Sequence, residues 1–179
     1  MKIYLVGFMG AGKTTIGREL ALRVETPFFD LDDLIEAAEG LSIRELFAQR
    51  GEPYFRKRER DILRSTRHLD RAVIATGGGT FTFDENIQLI QTEGLSVFLS
   101  APYALVRSRA GQNEARPLFR DDASAHELFQ TRARYYRMAD LTLEVREEET
   151  PPEIAERLIL ELPKGFLESV RKGSLRSAS

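Results

Sequence analysis

Short apolar runs alternate with amphipathic stretches along the chain, and this alternation predicts its elements. Ile3 to Val6 is an apolar run cut off by Gly7, the pattern of a short buried strand. Ile16, Leu20 and Val24 recur at helical spacing, so a helix is expected from Lys13 to Val24. Pro27 to Leu31 reads as a second strand. Ser42 and Glu45 form an S-x-x-E capping box that opens a short helix ending near Gly51. Pro53 suits the first turn of the next helix, which runs to about Arg67. Ala72 to Thr76 is a third strand, stopped by Gly77, Gly78 and Gly79. Thr82 and Glu85 have the spacing of a second capping box, before a helix to about Thr92. Leu95 to Ser100 is a fourth strand, followed by a short helix after Pro102 and a polar stretch from Gly111 to Ala123. Ser124 and Glu127 are expected to cap a helix to about Met138, and Leu141 to Val145 is a fifth strand. Pro151 and Pro152 start a last helix through Leu162.

Strands alternating with helices indicate parallel βαβ units. The predicted fold class is α/β: a five-stranded parallel sheet between helices on both faces, a three-layer α/β/α arrangement. Ligands in such sheets bind beyond the carboxyl ends of the strands. A single domain over residues 1–162 is expected, without internal repeat or linker. Residues 163–179, rich in Ser, Gly and basic side chains, are expected to form a loosely held tail.

Composition narrows the chemistry. The chain has 179 residues and a formal net charge of −2, so no bulk basic field is available for nucleic acid. Of its 26 basic residues, 5 are Lys and 21 are Arg, whose planar fork matches carboxylate and phosphate oxygens. With no cysteine, disulfides, thiolate catalysis and Cys-ligated metals are excluded, which fits a reducing cytoplasm. His68 and His126 lie far apart among polar neighbours and read as surface residues. No apolar run approaches the roughly 20 residues of a membrane span. No extended apolar surface run asks for a partner, so a monomer is expected.

The decisive stretch is Gly7-Phe8-Met9-Gly10-Ala11-Gly12-Lys13-Thr14, which fits G-x-x-x-x-G-K-[ST] at every fixed position. Its glycines let backbone N–H groups wrap phosphate oxygens, and the following helix aims its positive end at the same anion. Gly10, Ala11, Gly12, Lys13, Thr14 and Thr15 are the candidate ATP-binding residues. Lys13 would reach the terminal phosphates, and the Thr14 hydroxyl would hold Mg²⁺. The expected fold is therefore a P-loop NTPase, and the family resemblance described below implies the nucleoside-monophosphate-kinase-like type.

The cradle alone leaves the acceptor open. The chain has no Asn-Lys or Thr-Lys pair, as a guanine-reading motif would require, and its third strand ends in Thr76 and glycines rather than an acid. Small-molecule and nucleotide kinases remain. Asp30 and Asp32 stand two apart at the end of the second strand, a spacing that faces both carboxylates into the crevice. One could order Mg²⁺ through water, and the other could accept or orient the proton of an attacking hydroxyl. Asp33 is expected to cap the helix that follows. Gly77, Gly78 and Gly79 allow a ligand to approach the backbone closely.

Six pieces occur in order: "GFMGAGKTTIGRELA", "FFDLDDLIE", "SIRELFAQRGEPYFRKRE", "TGGG", "ARPLF" and "RARYYR". Together, from Lys2 to Leu162, they resemble the shikimate kinase family. The resemblance implies transfer of the γ-phosphoryl group of MgATP to the 3-hydroxyl of shikimate. It gives Asp32 the ring hydroxyls and the role of base, and Asp30 a place near the Mg²⁺ shell. It gives Arg56 and Arg137 the shikimate carboxylate, and Gly78, flanked by Gly77 and Gly79, the substrate hydroxyls. Arg116 becomes the lid arginine over the transferred phosphate, within a lid at about 111–123. Arg109 stacks on the adenine, and Pro152 borders its pocket. The shikimate-binding helices span about 32–67. Two alternatives stand beside it: another small polyhydroxy-acid kinase such as a gluconate kinase, or a non-catalytic module that senses shikimate. Retention of Lys13, Thr14, Asp32 and Arg116 speaks for catalysis.

Overall fold

The computed structural model describes residues 1–110 and 122–167. Five strands, β1 (Lys2–Val6), β2 (Phe28–Asp30), β3 (Ala72–Ala75), β4 (Leu95–Ser100) and β5 (Leu141–Glu144), form one parallel sheet in the order β2-β3-β1-β4-β5. Every neighbouring pair is parallel, with Ile3 opposite Val73 on one side and opposite Leu95 on the other. All of β1 is buried, as a strand covered on both faces must be. Its neighbours supply Val73, Ile74, Val97 and Leu99 to the same core.

Among the described residues, seven helices accompany the sheet, six between strands and the last after β5: α1 (Lys13–Arg23), α2 (Leu31–Glu39), α3 (Ile43–Ser65), α4 (Asp84–Glu93), α5 (Tyr103–Ala110), α6 (Asp122–Tyr136) and α7 (Pro151–Glu161). From β1 the chain crosses by α1 to the far edge at β2, then steps back across the sheet through β3, β4 and β5. Right-handed crossovers in opposite directions put their helices on opposite faces. Accordingly α1 packs on α7, and α3 on α4. The α2–α3 pair also carries a small apolar cluster of its own, Ile35, Leu46 and Phe55, separate from the sheet core. Among the described residues no helix is long and apolar enough to cross a membrane.

The predicted elements are present, with four local corrections. Leu31 begins α2 rather than ending β2, because Asp30 is the helix cap: its side chain accepts the Asp32 N–H. Asp33, expected as the cap, lies inside the first turn. Asp32 therefore stands on a helix, not on a strand beside Asp30. Thr82 does not cap α4, since its hydroxyl donates to the Gly79 carbonyl at 2.7 Å and the helix starts after Phe83. Ser124 lies within α6, which already runs at Asp122. The Ser42–Glu45 capping box forms in full, and the expected break at Gly51 is a left-handed kink inside α3, with φ 77°. The expected lid falls mostly on residues 111–121, and most of the expected tail on 168–179, both outside the described residues.

Candidate active site

The carboxyl ends of β1, β2 and β3 bring three loops to one crevice. The first is the turn from Gly7 to Gly12, where Gly10 and Gly12 take φ of 82° and 94°, values that favour glycine. Side-chain crowding adds to the demand at Gly10, where a methyl carbon would lie 2.9 Å from the Val106 carbonyl oxygen. Lys13 Nζ donates to the carbonyls of Gly7 at 2.9 Å and Phe8 at 3.0 Å, which holds its charge over the turn. The Thr15 hydroxyl turns back to the Gly12 carbonyl at 3.0 Å. A cavity of about 360 Å³ opens here, lined by Gly10, Gly12, Lys13, Thr14, Thr15, Ile16, Arg109, Pro151 and Ile154. Ala11 is buried behind it. Arg109 lies on the wall of this cavity. Pro151 lines this cavity rather than Pro152, and Ile154 joins it one helical turn on.

At the crevice floor the Thr14 hydroxyl donates to Asp30 Oδ2 at 2.7 Å. A hydroxyl and a carboxylate side by side are the hard oxygen donors Mg²⁺ takes. Among the described residues no three acidic or histidine side chains are placed to hold a metal ion together, so a cation here would complete its shell with phosphate and water.

The glycine turn after β3 forms the opposite wall. A methyl carbon on Gly77 would lie 2.7 Å from Glu59 Oε1 and 3.1 Å from Asp32 Oδ1, so both carboxylates press on this backbone. Glu59 is 1% exposed and fully engaged: Oε1 accepts the Thr80 hydroxyl at 2.7 Å, and Oε2 accepts Arg56 Nη1 at 2.9 Å. Arg56 also donates from Nε and Nη2 to Glu52, both at 3.1 Å. Its guanidinium lies against Gly79 and over the rings of Phe55 and Phe83, at 5.0 and 5.7 Å. A buried carboxylate is costly unless paired, so Glu59 fixes Arg56 as much as the reverse.

The third wall comes from α6. Tyr136 is buried, and its hydroxyl donates to the Gly78 carbonyl. Burial pushes that hydroxyl well above the ordinary tyrosine range, while the nearby charge of Arg132 pulls it back. Arg132 lies one helical turn before Tyr136, beside Gly78 and over the Phe8 ring at 5.8 Å. Arg137, expected at this wall, is exposed instead. Its amide continues the helix to Ala133, so its side chain points about 100° round from Tyr136. The structure brings Arg132 to the glycine turn and leaves Arg137 outside. Arg116 lies outside the described residues.

Comparison with known proteins decides between acceptor classes. The sequence model described as shikimate kinase matches residues 9–163. The chain belongs to the shikimate kinase family. A shikimate kinase of Thermosynechococcus vestitus is 42% identical over 164 residues, 90% of this chain and 89% of its own length. One of Aquifex aeolicus is 35% identical over 163 residues, 90% and 96% of the two chains. The solved structure of shikimate kinase from Acinetobacter baumannii in complex with shikimate superposes with a TM-score of 0.85. It shares 34% identity and covers 89% of this chain and 91% of that one. Shikimate kinase membership makes this chain an ATP-dependent phosphotransferase. Glu59, Thr80, Arg132 and Tyr136 gather at or behind the glycine turn without having been singled out in the sequence. Helical phase was the available signal for three of them, since Arg56 and Glu59 are three apart and Arg132 and Tyr136 four.

Proposed function

We propose that the glycine turn, Asp32, Arg56 and Arg132 bind shikimate, and that its 3-hydroxyl attacks the γ-phosphorus of ATP held in the P-loop. Shikimate 3-phosphate and ADP are the products. The observation that carries the reading is the convergence of two guanidiniums and a carboxylate on one glycine turn, opposite Lys13. Arg56 and Arg132 are suited to a small carboxylate by forked hydrogen bonds. Arg132 replaces Arg137 in this role because only Arg132 reaches the turn. Gly78, flanked by Gly77 and Gly79, offers backbone groups to the ring hydroxyls.

Asp32 orients the 3-hydroxyl and takes its proton as the new P–O bond forms and the bond to the ADP oxygen breaks. Gly10, Ala11, Gly12, Thr14 and Thr15 position the phosphates, and Lys13 neutralises the charge that develops on them. Thr14 and Asp30 are the residues that would hold Mg²⁺, Asp30 through water. Bound there, the ion would supply charge neutralisation to the phosphates. Arg109, Pro151 and Ile154 border the adenine, with Pro152 behind them. Arg116 keeps the lid role that the family resemblance gives it. A cytoplasmic monomer without nucleic-acid or membrane partners completes the reading, in keeping with a formal net charge of −2 and no cysteine.

A coupled assay of ADP release tests the reading with shikimate, with gluconate and with no acceptor. Release that depends on shikimate is expected. Release with gluconate alone would move the acceptor to another polyhydroxy acid. ATP binding without release would turn the site into a sensor.

A further inference from the structure

We propose that Tyr136 is a positioning residue of the acceptor site: its hydroxyl pins the Gly78 carbonyl and so holds the glycine turn in register with the Arg132 guanidinium beside it. The inference rests on the functional reading above, which places the acceptor at that turn.

Tyr136 is 1% exposed, with its ring on Phe98 at a centroid distance of 5.3 Å. An apolar site of this kind would take phenylalanine equally well. A buried hydroxyl persists where it has a partner: this one donates to the Gly78 carbonyl, and the Arg132 guanidinium lies against the same glycine. The consequence for the turn follows from peptide planarity. A carbonyl and the next N–H point opposite ways across one rigid plane, so pinning the Gly78 carbonyl aims the Gly79 N–H. Among the described residues, the N–H groups of Gly78 and Gly79 make no hydrogen bond, which leaves both available to a ligand. Three consecutive glycines would otherwise sample many conformations. The tyrosine therefore supplies order that the turn's own sequence lacks.

Arg132 gains a second support from the P-loop. Its guanidinium lies over Phe8, whose ring in turn meets Phe129 edge-on at 5.3 Å. Phe8 presents its carbonyl to Lys13. Tyr136 thus closes a chain of contacts from the phosphate cradle through Arg132 to the acceptor wall.

Tyr136→Phe removes the hydroxyl and keeps the ring. The shikimate KM should rise about fivefold, the value of one ordinary hydrogen bond, with the ATP KM unchanged. The NMR order parameters of the Gly78 and Gly79 amides should fall in the absence of any acceptor. Phe98→Leu loosens the packing beneath the ring and keeps the hydroxyl, so it should lower the melting temperature without moving the shikimate KM. An unchanged shikimate KM and unchanged order parameters in Tyr136→Phe would overturn the proposal. So would an equal KM rise in Phe98→Leu, which would show that packing alone matters. If wild-type turnover does not depend on shikimate while Tyr136→Phe still lowers these order parameters, the acceptor reading fails and the tie between Tyr136 and the turn stands.

Discussion

One methyl group at Gly79 should uncouple the acceptor site from the nucleotide site. Built on the Gly79 backbone, the methyl carbon would lie 2.5 Å from Arg56 Nη1, 2.7 Å from Nη2 and 2.8 Å from Cζ. The backbone itself accepts alanine, since Gly79 has φ −98° and ψ −13°. The strain therefore falls on the guanidinium, which must retreat about 1 Å to reach ordinary contact. Bonds to Glu59 at 2.9 Å and to Glu52 at 3.1 Å resist that retreat, as do the flanking Phe55 and Phe83 rings. A shift of that size breaks the Glu59 bond and leaves a carboxylate of 1% exposure with only Thr80 to satisfy it. A hydrogen bond between charged groups contributes about 1.5–3 kcal/mol. At about 1.4 kcal/mol per factor of ten, the shikimate KM of Gly79→Ala should rise about 10- to 100-fold. No residue lining the P-loop cavity moves, so the ATP KM should hold. The assay is ADP release titrated separately with each substrate, beside a thermal melt. An unchanged shikimate KM would refute the claim that the turn and Arg56 are packed to contact. An equal rise in both KM values would refute the separation of the two sites.

Three further outcomes are expected. Asp32→Asn should cut turnover by about a hundredfold or more while ATP binding, read by nucleotide titration, stays nearly intact; near-normal turnover would remove Asp32 as the base. Gly17→Ala should lower stability by about 1–3 kcal/mol in thermal or urea unfolding, because its methyl carbon would lie 2.6 Å from Phe28 Cε2 and 3.0 Å from Leu5 Cδ1. Hydrogen bonds from Lys2 and then Arg67 hold the Glu93 carboxyl below the usual glutamate range. Its folded value lies under the unfolded one, so this stabilisation is present above about pH 4.3 and lost as pH falls through the depressed value. Melts should therefore show Glu93→Gln less stable than wild type near neutrality, with the gap closing in acid; a gap that widens in acid would contradict the sign.

The nucleotide half of the site was legible because its demands are local. A phosphate cradle needs glycines, a lysine and a threonine within eight consecutive positions, and the strand before and helix after confirm the context. The proposed acceptor half draws on α2, α3, the glycine turn and α6, so its choices depend on helical phase and packing. Arg132 and Arg137 look alike in "RARYYR", and only the inward turn of Tyr136 separates them. Glu59 sits in the charged run "RKRER", which reads as a solvated face, yet Arg56 and Thr80 make its burial affordable. The capping errors share one cause. Thr82 and Asp33 have the right spacing to cap, but the Gly79 carbonyl takes the threonine hydroxyl, and Asp30 reaches the Asp32 N–H first. Side chains that can satisfy several backbone groups are chosen by the surrounding fold, not by spacing.

The most direct test of the central claim is phosphorus NMR of the chain mixed with MgATP and shikimate. The account predicts a new phosphomonoester resonance, coupled to the proton at ring carbon 3, growing as the γ-phosphate signal falls and absent when gluconate replaces shikimate. Loss of the γ-phosphate signal to inorganic phosphate alone, or a phosphomonoester formed on gluconate and not on shikimate, would contradict it.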